Sequence, residues 1–170
     1  MARNKIYLPH ILLSLALIIV FSCKTRQSDS VADNDDMGDR KDSLFVSLDR
    51  SPCFGSCPTF VVYIYKSGYA IYEGKNAVTR IGQFETRFSK QQLQLFTNAA
   101  MEYRIDTLAS EHVNPYIADF PASYSSVVLK GKRHSFHIST DTPPPSLTEF
   151  EKSVERLIEI PVWTKIEDKK

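Results

Sequence analysis

The chain has 170 residues, 42% of them hydrophobic, and its 21 basic and 20 acidic side chains give a formal charge of +1 at pH 7. A chain so close to neutral lacks the excess of positive charge with which proteins bind nucleic acids, and we expect no nucleic-acid partner. Its length is that of one domain with short flanking segments.

The N-terminus has the pattern of a bacterial lipoprotein signal peptide. Arg3 and Lys5 precede an apolar run over residues 6–21, and a cysteine, Cys23, follows one small residue later. This order predicts that residues 1–23 are a signal peptide with a lipobox, and that Cys23 is lipidated and becomes the mature N-terminus. The apolar run is shorter than the roughly 20 residues that span a bilayer. An uncleaved anchor and ordinary secretion are the alternatives.

A lipid on Cys23 would make the membrane the first partner of the protein. Each buried methylene of an acyl chain contributes about 0.8 kcal/mol to membrane binding. We expect a lipid-anchored protein of the bacterial cell envelope, and specifically of the outer membrane, because Lys24 stands where an aspartate would favour inner-membrane retention. Residues 24–42 are almost all polar and predict a flexible tether. Residues 43–165 then form a single domain, and residues 166–170 a frayed tail.

The first half of this domain predicts four strands and a helix. Strands are expected over residues 44–48, 60–65, 69–72 and 79–87, with the middle two joined as a hairpin by Lys66-Ser67-Gly68. Ser89 and Gln92 have the spacing of a capping box, which predicts a helix that ends near Asp106. Residues 107–122 contain two prolines and predict an irregular loop.

The second half repeats this plan with a hairpin and a helix. The strands are expected over residues 124–129 and 134–138, and Ser146 with Glu149 predicts a second capping box. Pro161 ends the helix, and Trp163 is expected to tuck under the domain. The predicted fold class is therefore α+β, an antiparallel sheet of about six strands with two helices packed on one face.

Alternation along the first hairpin divides its side chains between two faces. The face assigned to the core carries Phe60, Val62 and Ile64. We assign three tyrosines, Tyr63, Tyr65 and Tyr72, to the opposite face, where they are candidates for binding a carbohydrate or a protein. The alternative is that these tyrosines pack against a loop or the other hairpin.

One short segment has the character of a signature. It reads Arg50-Ser51-Pro52-Cys53-Phe54-Gly55-Ser56-Cys57-Pro58 and lies between the first two predicted strands. It resembles the R-x-P-C-F-G-x-C-P loop of an uncharacterised family of small bacterial domains that are often secreted or lipid-anchored. The resemblance continues over most of residues 44–163. This family has no established activity, so the resemblance supports the domain boundary and implies no reaction.

The two cysteines of this loop admit three interpretations. A disulfide between Cys53 and Cys57 suits an oxidising compartment, and Gly55 gives the freedom for the tight turn it needs. A redox-active pair would need a cation such as Arg50 beside the sulfur. A zinc site would need two more ligands, for which His112, His134 and His137 are the candidates. Because His134 and His137 lie three residues apart on a predicted strand, they face opposite sides and at most one could join the cysteines.

We favour the disulfide and expect no metal and no cofactor. The predicted function is that of a lipid-anchored extracytoplasmic domain with a non-catalytic binding or envelope-structural role. Its partner would be an envelope protein or a carbohydrate, bound through the tyrosine hairpin or the loop over residues 107–122. The alternative function is that of a periplasmic thiol–disulfide oxidoreductase that uses Cys53 and Cys57.

Overall fold

A single sheet of eight strands forms the frame of the protein. The computed structural model describes residues 42–117 and 120–167. The strands are β1 (Leu44–Arg50), β2 (Thr59–Tyr65), β3 (Tyr69–Asn76), β4 (Gly82–Arg87), β5 (Glu111–Val113), β6 (Ser123–Leu129), β7 (Lys132–Ser139) and β8 (Thr164–Lys165). Their order across the sheet is β5-β7-β6-β1-β2-β3-β4-β8. Neighbours are antiparallel except β5 and β7, which are parallel.

Two helices complete an α+β fold, as predicted. They are α1 (Lys90–Glu102) and α2 (Pro145–Leu157). The predicted number of about six strands is wrong, because two short edge strands extend the sheet. β5 has three residues and β8 has two, which is too short for alternating polarity to reveal them in the sequence. Part of the segment predicted to be irregular, residues 107–122, is therefore strand β5.

Alternation places the core as predicted on β2. Phe60, Val62 and Ile64 are at most 6% exposed, and they join one hydrophobic cluster with buried side chains of β1, β3, β6 and β7. Both helices contribute to the same cluster, α1 through Phe96 and α2 through Phe150. The cluster therefore includes both the sheet and the helices.

The first helix begins as the sequence predicts, and the second does not. Ser89 Oγ accepts the N–H of Gln92, and the Gln92 side chain accepts the N–H of Ser89, which completes the predicted capping box. Helix α1 ends at Glu102, somewhat before the predicted Asp106. At α2 the residue before the helix is Pro144, and no side chain caps the helix, so the capping box predicted at Ser146 is wrong.

The reason for this difference is the proline run before α2. A proline in the first turn has a fixed φ suited to a helix and no N–H to satisfy, so the helix can begin at Pro145 without a polar cap. Glu149 is thereby freed from the N-terminus and instead pairs with Lys152, with Oε1 2.8 Å from Nζ.

Trp163 lies where the sequence predicts, against the core. Its ring packs near those of Tyr72 and Phe88, at 5.7 and 6.2 Å between centroids, and its Nε1–H donates to the carbonyl of Ile158. In the part of the chain that the structure describes, neither helix is long and apolar enough to cross a membrane. The predicted signal peptide, the lipidation site at Cys23 and the tether up to residue 41 lie outside the described residues, as do residues 168–170 of the predicted tail.

Candidate binding face and cysteine loop

The cysteine loop is closed by a disulfide. Cys53 and Cys57 are bonded to each other, with their Cα atoms 5.8 Å apart, between the end of β1 and the start of β2. Gly55 supplies the turn with a φ of +130°, a conformation that other residues rarely adopt. The tip of the loop presents Phe54, whose side chain is 88% exposed.

Arg50, the first residue of this loop segment, fastens the end of β1 to helix α2. Its Nη1 donates to Glu151 Oε2 and its Nε to Glu155 Oε1, each at 2.8 Å. Glu151 is 1% exposed, and its carboxylate also accepts hydrogen bonds from Ser123 and Ser125 of β6. These four residues, Arg50, Glu151, Ser123 and Ser125, are called the inner cluster below. The positive charge of Arg50 is thus shared by two carboxylates.

A cavity of about 360 Å³ adjoins the inner cluster. Cys57, Pro58, Phe120 and Pro143 contribute to its walls, and Glu155 lies at its polar side. Arg50 also borders this cavity, where both of its carboxylate partners lie. A redox-active thiolate needs a cation beside it, and the guanidinium of Arg50 is already engaged by Glu151 and Glu155.

The histidines stay apart, as the strand geometry predicts. His134 lies opposite Val127 and His137 opposite Tyr124, so the two point to different faces of the sheet. His112 Nε2 lies 2.9 Å from the carbonyl of Ala109. Across residues 42–117 and 120–167, no group of three or more histidine, cysteine or acidic side chains is placed to hold a metal ion.

The three candidate tyrosines do not share one face. Tyr63 is 40% exposed, and Tyr65 stacks on Tyr69 with centroids 6.1 Å apart. Tyr72 is 3% exposed and packs on Phe60, so its assignment to the binding surface is wrong. The cause is the register of the hairpin: Tyr72 lies opposite Val62, which belongs to the core face.

Tyr69 takes the position on the outer face that was assigned to Tyr72. Its hydroxyl donates to Glu85 Oε2 at 2.8 Å, and the guanidinium of Arg87 lies 6.0 Å from its ring centroid. Partial burial and then the hydrogen bond to the Glu85 carboxylate raise the pKa of Tyr69 to about 12. The phenol therefore stays protonated at any physiological pH.

Three serines of adjacent strands lie side by side on the same outer face. The register pairs Ser47 of β1 with Ser126 of β6, and Ser126 with Ser135 of β7. Tyr63 lies opposite Ser47 on the other side, so the row continues from serines to a tyrosine. We call this side of the sheet, opposite the hydrophobic core, the open face. Since serines are shorter than the residues around them, their row forms the floor of a depression.

The depression is a groove of about 470 Å³, and its lining combines apolar surface with hydroxyl, imidazole, guanidinium and carboxylate groups. We call it the serine groove; its side chains on the open face include Ser47, Ser126, Ser135, Arg133, Tyr124, His137 and Glu111. Arg133 is held in place by its donation to Ser126 Oγ at 3.0 Å and by a second hydrogen bond to the carbonyl of Leu44.

One wall of the groove is formed by two stacked aromatic rings. Tyr124 and His137 stack with centroids 4.4 Å apart and ring planes 13° from parallel. Glu111 of β5 lies 2.9 Å from His137 Nδ1 and fixes the orientation of the imidazole. Short strand β5 thus has a role at the site, since it carries the residue that positions His137.

Among the groove residues, the sequence offered His137 only as a zinc ligand and Glu111 only as part of the loop over residues 107–122, and it offered none of the others. Their polar positions alternate along β6 and β7, which is a signal for an exposed face, but only the pairing of β1 with β6 brings Ser47 to Ser126. Those serines are 79 residues apart in the chain. Residue spacing does not indicate which distant strand lies beside β1.

A family model for the domain of unknown function DUF6438 matches residues 44–158. The chain belongs to this family. The match covers β1 to the end of α2, and so includes the disulfide loop, the inner cluster and the serine groove of this DUF6438 domain. No curated protein matches the chain.

Proposed function

We propose that this DUF6438 protein is a lipid-anchored binding domain of the bacterial cell envelope, attached through Cys23 and located at the outer membrane. Its role is to bind a partner or support an envelope assembly, without catalysis. The observation that carries the binding role is the open face, where exposed tyrosines flank a groove of about 470 Å³ with a floor of serines. A groove of this size falls within the range of about 300–1,000 Å³ typical of ligand sites.

The arrangement of the helices supports this assignment of the open face. We take α1 and α2 to pack on the core side of the sheet, because Phe96 and Phe150 belong to the same cluster as Val62 of β2. Tyr63 and Tyr124 point away from that cluster and remain 40% and 47% exposed. Exposed tyrosines combine apolar area with a polar end, which makes them frequent contact residues in binding surfaces.

Photo-crosslinking in the native host tests the binding role. A benzophenone amino acid replaces Tyr63, Tyr124 or, as the control, Leu95 of α1 in the full-length chain. Leu95 is the matched control because it is 40% exposed, as Tyr63 is, but lies on a helix. We expect an envelope component to be captured at positions 63 and 124 and not at 95. Equal capture at all three positions, or none at 63 and 124, would contradict the proposal.

Membrane attachment has its own test. The Cys23→Ser variant removes the sulfur that would carry the lipid, so we expect it to lose incorporation of labelled palmitate and to leave the outer-membrane fraction. Unchanged incorporation would show that Cys23 is not the lipidation site. A chain that loses its label and stays in the membrane fraction would support an uncleaved anchor instead.

The thiol–disulfide alternative depends on the lability of the Cys53–Cys57 bond. Arg50, the cation that could activate a thiolate there, is engaged by Glu151 and Glu155. We therefore expect a reduction potential below about −300 mV, as for structural disulfides, measured by equilibration with thiol redox buffers. A potential above about −200 mV would restore the oxidoreductase as the leading function.

A further inference from the structure

The floor of the serine groove keeps one hydrogen-bond donor unused. Ser126 Oγ accepts from Arg133 Nη1 at 3.0 Å and lies 2.8 Å from Ser47 Oγ. Only one of the two serine protons can lie between these oxygens. The other proton, on Ser47 or on Ser126, has no acceptor among the residues that the structure describes. Donation by the Arg133 cation polarises the pair and strengthens that free donor.

The aromatic wall supplies a polar atom of fixed direction. A carboxylate can only accept, so the hydrogen bond to Glu111 is donated by Nδ1 of His137, and Nε2 is left to pair with a ligand hydroxyl. The stack on Tyr124 prevents the imidazole from turning. The Tyr124 hydroxyl, which both donates and accepts, has no partner among the described residues. The groove thus presents both hydrogen-bond donors and hydrogen-bond acceptors from neighbouring strands of the sheet.

These groups exclude several classes of ligand. An apolar molecule would cover the serine hydroxyls without pairing them, which is costly. A nucleic acid would meet one arginine, Arg133, in a groove that also contains the acidic Glu111, and phosphate backbones need several cations. An added peptide strand would pair with a sheet edge, whereas this groove lies across β1, β6 and β7, inside the sheet.

We propose that the serine groove binds sugar residues of an envelope polysaccharide. This inference rests on the proposed function of the open face and names the class of its ligand. Each sugar hydroxyl both donates and accepts, which matches the free serine proton, the Tyr124 hydroxyl and His137 Nε2. The C–H face of a pyranose ring packs against the exposed ring of Tyr124. Tyr63, next to Ser47 in the row, extends the contact to a neighbouring sugar.

The test is saturation-transfer NMR on the full lipidated chain in a detergent without a sugar headgroup, since maltosides would compete. The probes are triacetylchitotriose, cellotriose, maltotriose and trigalacturonate, which vary the linkage, the acetamido group and the charge. We expect saturable binding of at least one. The absence of saturable binding for all four would overturn the proposal.

A matched pair of variants locates the binding. Ser135→Trp fills the groove from an exposed position and should weaken binding by tenfold or more, which is about 1.4 kcal/mol. Gln83→Trp adds the same bulk at an exposed position of β4, outside the groove, and should leave the affinity within about twofold. Equal affinities of the two variants would overturn the assignment to the groove. Both positions are exposed, so neither substitution disturbs the core.

The outcome also separates this inference from the proposed function. If position 124 captures a polypeptide in cells and no probe sugar binds, the open face is a binding surface and the sugar assignment is wrong. If position 124 captures no component at all, the binding role of the face fails first. Protease digestion of the captured adduct, followed by polysaccharide hydrolase, shows whether the captured component is a polypeptide or a polysaccharide.

Discussion

Two arginine–serine clusters lie on opposite faces of strand β6. Comparing them distinguishes polar groups that stabilise the fold from polar groups that remain available for binding. In the inner cluster, Glu151 accepts hydrogen bonds from Arg50, Ser123 and Ser125, and its carboxylate is almost fully buried. In the serine groove, Arg133 binds Ser126, yet a hydroxyl proton remains unused and the walls are open to solvent. A closed set of hydrogen bonds stabilises the fold, whereas an open set leaves binding capacity.

The alternation of β6 produces both clusters from consecutive residues. Ser123 and Ser125 point to the core side, and Tyr124 and Ser126 to the open face. The run of similar polar residues therefore has two different uses, which depend on what each face meets. On the core side, Ser123 and Ser125 meet Glu151. A buried carboxylate such as that of Glu151 is tolerated only when it is paired and hydrogen-bonded.

The largest effect should come from removing the buried carboxylate. We expect Glu151→Ala to lower the free energy of unfolding by about 3 kcal/mol, because it leaves Arg50 and two serines without their shared acceptor. Glu155→Ala, on the same helix and four residues later, is the control; its side chain is 38% exposed, so we expect at most about 1 kcal/mol. Urea unfolding measures both. Equal losses would mean that burial does not distinguish the two carboxylates.

A smaller effect should distinguish the serines of the two faces. Ser125→Ala removes the 2.8 Å hydrogen bond to Glu151 and should lower the free energy of unfolding by about 1 kcal/mol. Ser135→Ala, on the exposed side of the neighbouring strand, should change it by less than about 0.5 kcal/mol. Thermal and urea unfolding give the values. A loss at Ser135 as large as that at Ser125 would show that the groove also stabilises the fold.

The sequence predicts local features of this fold better than long-range ones. The capping box at Ser89 and the core residues of β2 follow from spacing within a few residues, and both are confirmed. The capping box at Ser146 has the same spacing and is wrong, because the prolines before it let the helix begin without a cap. Local spacing is therefore reliable only where no stronger local constraint competes with it.

The candidate site depends on the register and order of the strands, and the spacing of residues within one strand does not reveal either. Tyr72 was assigned to the wrong face because the turn of the hairpin sets its partner as Val62. The serine groove was not predicted because Ser47 and Ser126 meet only when β1 pairs with β6. The cysteine pair, by contrast, was recognisable because both sulfurs lie within one short loop.

The smallest effect concerns Tyr69 on the open face. Its hydroxyl donates a hydrogen bond to a carboxylate, as the serines of the inner cluster do. Burial and the Glu85 carboxylate raise its pKa to about 12 from the usual 10, so the stabilisation from keeping it protonated is complete below pH 10 and is lost as the pH rises to 12. We expect Tyr69→Phe to remove a phenol that ionises near pH 12 from an alkaline titration of tyrosinate absorbance. Glu85→Gln should lower the pKa of Tyr69 only in part, since burial is the larger cause. If Tyr69→Phe instead removes a phenol that ionises near pH 10, and Glu85→Gln changes nothing, then the hydroxyl of Tyr69 is not held by Glu85 in solution, and pairing on this face does not resemble pairing in the inner cluster.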